Sequence, residues 1–549
     1  MYKISTLIAL SLSTILLSGC GGGGSSDGDE EVDQNINLKI TNDYEAIPLK
    51  SASYTIDIQT DHTTNLYLVL TNTDGTEIKN IDIEHNGKLL YKNQKQISTD
   101  RTFISTHKVP EFITNFNNQK HLTNKINSSS KQAKSLDIKK TPKNIGDTHT
   151  FKVENNDGTI TYKDATLKSK VTVNTRYGYK TLLVWVSDDT FEGSCYKAKC
   201  ITQTMVDELQ EEFLQDGSNN DIYDWVTNIY GEEWSQNAHD KYPSDLIDAT
   251  DEINIFFTDI EDDNSANGGM MGYFYAKDNF YTSTYPNSNE MIMFYVDSIM
   301  FANEDGNGFW QKEMYSTLAH EFQHMIHFYQ KTVLKDKVDD TWINELISET
   351  TEDLIATKIN HIGPRGVDPS DGSAGEYGNQ NGRYPLFNQS NDISISQWYG
   401  NLENYSNVNS FGAFLTRNYG GAKVLHDILY NNKEHEDAIE YATGENFGTL
   451  LQKWGEAVIL SSIENPYDVP TYNFGDFKNI SYNGITYNLG SIDFFRYLPM
   501  PKLYSLYNGN TISLNPHSNK YYIIGEELDG TIDLDISLPT GTKAVLIAK

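Results

Sequence analysis

Residues 314–335 read "MYSTLAHEFQHMIHFYQKTVLK", and the spacing of the three histidines decides how the rest of the chain is read. At 100° per residue, with His320 at zero, His324 falls at about 40° and His327 at about −20°. Leu318, Phe322, Met325, Tyr329 and Val333 fall between about 140° and 220°, so the apolar stripe lies opposite the histidines. The pattern predicts a helix packed on one side with its histidines turned toward a cleft. His320 and His324 stand one turn apart, and both imidazoles can reach one zinc ion. His327 lies about 10 Å along the axis from His320, too far to share that ion on a continuous helix. The pattern H-E-x-x-H-x-x-G-x-x-H solves this with a helix-breaking glycine. Here His327 holds the glycine position and Gln330 the last histidine position, so His327 is read as a cleft or packing residue.

With 13 histidines in 549 residues, H-E-x-x-H arises by chance in roughly one such chain in fifty. A third ligand is therefore needed. Residues 339–358, "DDTWINELISETTEDLIATK", read as a second helix with Asp340 or Thr341 as its cap. Glu345 and Glu349 are four apart on one face, while Ile343, Ile347 and Leu354 supply apolar surface. This pair of helices resembles a gluzincin, which carries H-E-x-x-H on one helix and a glutamate ligand on the next. Thermolysin-like members have N-E-x-x-S-D around that glutamate, and this chain has Asn344-Glu345-Leu346-Ile347-Ser348-Glu349. The resemblance implies that His320, His324 and Glu345 bind one catalytic Zn²⁺. It also implies that Glu349, standing where the motif has aspartate, orients His320 beside Asn344. Over roughly residues 185–465 the chain is similar, more narrowly, to secreted metallopeptidases of the hyicolysin family. "TLAHEFQHMIHF", "WINELISE", "NIYGEEW", "GYF" at 272–274 and "SFGAFLTRNYGG" carry that likeness.

The chemistry implied is hydrolysis of peptide bonds in extracellular or cell-envelope proteins. Three protein ligands leave a fourth zinc position for water, whose pKa the metal lowers toward ~7. Glu321, next to the first ligand, would take the water's proton and deliver it to the leaving amine. Gluzincins also use a histidine or tyrosine to stabilise the oxyanion. Tyr399, Tyr405 and His426 are candidates, and a sequence with 35 tyrosines does not choose between them. A structural zinc protein is disfavoured because closed sites use four ligands, mostly cysteines. The remaining rival is a catalytically inactive zincin-fold surface lipoprotein acting as a binding or adhesion module. Such a descendant could shed Glu321 or a ligand, and all four residues are present. "DIEDDNSANGG", "NEDGNG" and "DPSDG" are oxygen-rich loops that make Ca²⁺ a secondary candidate, although none has EF-hand spacing.

A hydrophobic fraction of 38%, with 12% aromatic residues, supports real cores. A net charge of −33 argues against nucleic acid as partner, which requires a basic surface. Protein or peptide substrates and a monomeric state are expected instead. At the N-terminus, Lys3 precedes an apolar run from Ile4 to Leu17, too short to span a bilayer. Leu17-Ser18-Gly19-Cys20 resembles the lipobox of bacterial lipoproteins. That implies a signal peptide over 1–19, acylation of Cys20, a membrane anchor and a flexible tether over 20–35. The anchor would face the periplasm or the cell exterior, on the outer membrane in a two-membrane cell. Cys195 and Cys200, in "CYKAKC", suit a local disulfide in an exported chain.

The expected fold is multidomain. An α+β zincin (thermolysin-like) catalytic domain over 186–465 is flanked by a β-rich N-terminal region over 36–185, with a polar linker at 117–144. A small β-rich C-terminal domain over 466–549 completes it.

Overall fold

Alternating apolar residues such as Leu66, Leu68 and Leu70 in Thr64–Asn72, or Ile81 and Ile83 in Lys79–His85, give each strand an apolar face that demands a covering layer. In the computed structural model, which describes residues 35–86, 109–122, 143–305, 308–506 and 510–549, that layer comes from the other end of the chain. One five-stranded sheet runs Asn35–Ile40, Ala52–Ile58, Gly530–Ser537, Lys79–His85, Asn510–Leu514. The second runs Tyr504–Ser505, Ser518–Leu528, Thr64–Asn72, Thr542–Ala548, Glu45–Leu49. Val69 pairs with both Tyr521 and Val545. Residues of both sheets, among them Ile56, Leu534, Leu68 and Leu546, form one core. The expectation of separate N- and C-terminal β domains is thus corrected: the two termini build one two-sheet unit. Its outer residues Tyr67, Val69, Tyr521 and Val545 join the larger core with the helix Phe447–Leu460.

The boundary at 185/186 is corrected as well. A six-stranded sheet runs Gly272–Phe274, Met293–Asp297, Glu252–Thr258, Gly178–Ser187, Ile160–Thr175, Thr148–Glu154. Strands assigned to the N-terminal region therefore continue the sheet that carries "GYF". Glu252–Thr258 pairs in parallel with Gly178–Ser187 and with Met293–Asp297, and both its faces are buried, Ile253, Ile255 and Phe257 in the main core and Phe256 in a second one. This explains its continuous apolar run rather than an alternation. Gly272–Phe274 is the outermost strand, antiparallel to Met293–Asp297. The hairpin Lys478–Tyr482 and Ile485–Leu489 packs on the helical side, where Tyr487 Oη donates to Trp225 O at 2.7 Å. It does not belong to the terminal β unit.

Two helices cross beside the outermost strand. The histidine helix, Phe309–His327, continues through wider π-type turns over Phe328–Val333. Its predicted stripe of Leu318, Phe322, Met325, Tyr329 and Val333 is fully buried in the main core. The glutamate helix, Thr341–Ile355, starts at Asp340. It packs closely on Leu402–Asn418, where a Cβ on Gly412 would collide with Thr350 Oγ1. Among the described residues no helix is long and apolar enough to cross a membrane. Cys20, the signal segment and nearly all of the tether lie outside the described residues, as does most of the 117–144 linker. Cys195 and Cys200 are disulfide-bonded.

Candidate metal centre

The crossing of the two helices brings His320, His324 and Glu345 together as a buried group. His320 Nε2 lies 3.2 Å and His324 Nε2 3.4 Å from the same oxygen, Glu345 Oε2. One ligand atom from each residue falls within 4.8 Å of the others. Burial opposes charge on Glu345, but the two imidazoles outweigh it and hold the carboxyl well below the usual carboxylate range. Burial likewise opposes charge on His320, and the hydrogen bonds it donates to Glu345 and Glu352 overcome it to raise the imidazole well above its ordinary value.

The other ring nitrogens are already used. His324 Nδ1 lies 3.0 Å from Asn344 Oδ1 and 3.0 Å from Ser348 Oγ, so Asn344 stands beside the second histidine. His320 Nδ1 donates to Glu352 Oε1 at 2.8 Å, and Ser316 Oγ donates to Glu352 Oε2 at 3.0 Å. This corrects the expected role of Glu349. Its carboxylate is held by Arg383, Nε at 3.0 Å and Nη2 at 2.7 Å. Burial nevertheless pushes the Glu349 carboxyl up, against the pull of Arg383. Glu345, Glu349 and Glu352 sit at i, i+4 and i+7 on one helix face. Glu349 and Glu352 also fall within 4.8 Å of His320 as a second possible ligand group, and Arg383, far along the chain, holds Glu349 while Glu352 takes His320 Nδ1.

Glu321 is 2% exposed. Its Oε2 accepts from the backbone N–H of Phe274 in the outermost strand at 2.8 Å. Its Oε1 is buried with no hydrogen-bond partner among the described residues. Burial raises its pKa, against the pull of His324 and His320. A carboxylate beside the metal group with one oxygen fixed and the other open is arranged to accept a proton.

The three oxyanion candidates separate. Tyr405, on the helix Leu402–Asn418, is 2% exposed. Burial raises its hydroxyl well above the usual value, and the charges of Glu345, Glu349 and Glu321 raise it further. Tyr399 is 73% exposed on the wall of an open cleft of about 1020 Å³. His426 has Asp427, Tyr430 and Tyr482 as its neighbours, none of them a site residue. His327 is not part of the group: its Nε2 lies 3.3 Å from Asp339 Oδ2, which Lys331 Nζ also approaches at 3.3 Å.

The donors suit zinc, which takes imidazole nitrogen and carboxylate oxygen. Among the described residues only the two imidazoles are recorded pairing with Glu345, and a divalent ion bound between them would take over the charge they supply. The acidic loops behave differently. Lys197 Nζ lies 2.6 Å from Asp259 Oδ2 and 3.7 Å from Asp262, occupying the cation's place in "DIEDDNSANGG". In "DPSDG", Asp368 and Asp371 accept from Ser370 and Ser373 within their own turns. Part of "NEDGNG" lies outside the described residues.

A family profile described as Peptidase M30 matches residues 160–443, just over half of the chain. That match begins in the sheet strand Ile160–Thr175 and so follows the sheet rather than the expected boundary. The chain is also 28% identical over 279 residues to "Neutral metalloprotease ShpI" from Staphylococcus hyicus. The aligned part is 49% of this chain and 52% of that relative, so the chain spans about half the length of the curated relative.

Proposed function

The chain belongs to the peptidase M30 family, and from that premise we propose that this metallopeptidase is a zinc-dependent endopeptidase with a zincin-type catalytic domain. His320, His324 and Glu345 are its ligands and Glu321 its general base. The observation that carries the reading is the convergence of two Nε2 atoms on one carboxylate oxygen in a buried group. Zinc bound there would polarise the scissile carbonyl and lower the pKa of water.

The protein's own residues do the rest. Glu352 and Asn344 hold the two imidazoles by Nδ1 and leave each Nε2 for the metal. Glu321 is anchored through Oε2 to Phe274 N, so its other oxygen accepts a proton from water and returns it to the departing amine. Of the three candidates, Tyr405 is the one that feels the site carboxylates, and burial together with Glu345, Glu349 and Glu321 keeps its hydroxyl protonated and able to donate to the carbonyl oxygen. The substrates are proteins or peptides of the cell envelope or exterior, met by an exported chain anchored through Cys20. Glu321→Gln should retain one zinc per chain and lose at least ~10³-fold in casein cleavage. Cleavage at the wild-type rate would sink the assignment.

A further inference from the structure

Residues 109–122 lie between the two walls of the catalytic region. The short helix Glu111–Asn117 is docked by Ile113, which is 1% exposed in the core of the six-stranded sheet. Phe116 adds edge contacts to Tyr275, Phe280 and Tyr285. Asn117 then bonds to the outermost strand and its extension. Its Nδ2 donates to Phe274 O at 2.7 Å, and its Oδ1 accepts from Ala276 N at 2.8 Å. A carbonyl at one residue and an N–H two residues on are the groups that one residue of an added parallel strand would bond. The Asn117 carboxamide thus takes the place of one residue's N–H and C=O. Phe274 is also the residue whose N–H holds Glu321.

The next residue turns to the opposite wall. Asn118 Oδ1 accepts from Asn344 Nδ2 at 2.9 Å, and Asn118 Nδ2 donates to Thr341 Oγ1 at 3.3 Å. Asn344 is the side chain that holds His324. On the other side of the helix, Pro110, Glu111 and Phe112 form one wall of the 1020 Å³ cleft whose far wall includes Tyr399 and Glu403. The segment therefore ties the sheet to the glutamate helix across the metal group. Exposed sheet edges bind extended peptides through such main-chain groups, and this edge adjoins the proposed general base.

Resting on the peptidase reading above, we infer that residues 109–122 are a built-in inhibitor, with Asn117 standing in for substrate main chain on Phe274 O and Ala276 N until a peptide displaces it.

The test uses the full chain with zinc. In the Glu321→Gln background, a dye-labelled casein-derived decapeptide should bind about fivefold more tightly once Asn117→Ala is added. Phe116→Ala, which weakens the same docking through its ring, should act in the same direction. With Glu321 intact, Asn117→Ala should lower KM by a similar factor and leave kcat and zinc content unchanged. Saturating peptide should also speed hydrogen exchange of the amides in 109–122. Equal or weaker peptide binding in both strap variants, or unchanged exchange in 109–122, overturns the inhibitor while leaving the peptidase reading intact. A chain that neither binds the peptide nor cleaves casein, with or without Asn117, overturns both.

Discussion

The histidine helix carries two buried histidine–carboxylate clusters within two turns of each other, and they are balanced in different ways. In the first, His320 and His324 meet Glu345, with Glu352 behind His320, and no ammonium enters. In the second, His327 meets Asp339, and Lys331, fully buried, sits 3.3 Å from the same oxygen while donating to Ile428 O at 2.9 Å. Burial lowers the pKa of His327 and of Lys331, while His327 first and Lys331 after it hold the Asp339 carboxyl below its ordinary value. The second cluster has a lysine of the protein beside its carboxylate. The first has its ligand atoms converging, and there the imidazoles alone answer the Glu345 carboxylate. A buried histidine next to a carboxylate therefore marks a metal site only when no lysine or arginine has already answered the carboxylate.

The widest separation between the clusters should come from Glu345→Gln set against Lys331→Met. Glu345→Gln should lose zinc and at least ~10³-fold in casein cleavage, whereas Lys331→Met should keep both. Lys331→Met should instead lower stability by about 3–5 kcal/mol in urea titration, because it strands a buried Asp339 carboxylate. That loss should be the same with and without EDTA.

Glu352→Gln tests the first cluster more finely. Loss of the carboxylate behind His320 should cost about 10–100-fold in zinc affinity or in casein cleavage. An unaltered zinc affinity would return the orienting role to Glu349.

The smallest effect concerns acid. Because the folded protein favours neutral His327, unfolding takes up a proton below about pH 6.5. The stability from this group is present above that pH and is lost as pH falls toward the lower folded value. His327→Asn should therefore reduce the loss of stability between pH 6.5 and 5 by on the order of 1 kcal/mol, read from urea midpoints.

The sequence carried the local part of the site well and the long-range part poorly. His320 and His324 are linked by a one-turn spacing, and the position of Glu345 follows from the next helix, so both are visible in a short window. The choice between Glu349 and Glu352 depends on Arg383, whose approach no local pattern records. A carboxylate series at i, i+4 and i+7 could have flagged Glu352 as a rival. Tyr405 emerges from three tyrosine and histidine candidates only through burial beside the carboxylates. The terminal strands alternate as expected, yet pairs such as Asp82 with Thr511 and Val69 with Val545 join segments more than 400 residues apart. Periodicity finds a strand but not its partner. Nothing in "TNFNNQ" signals that Asn117 and Asn118 would bridge the catalytic region.

Crystals of the full chain grown with zinc, with anomalous scattering recorded on both sides of the zinc edge, test the central claim most directly. The account predicts one strong anomalous peak about 2.0–2.2 Å from His320 Nε2, His324 Nε2 and a Glu345 carboxylate oxygen. A peak at His327 and Asp339, or a zinc-saturated crystal with none at Glu345, would contradict it.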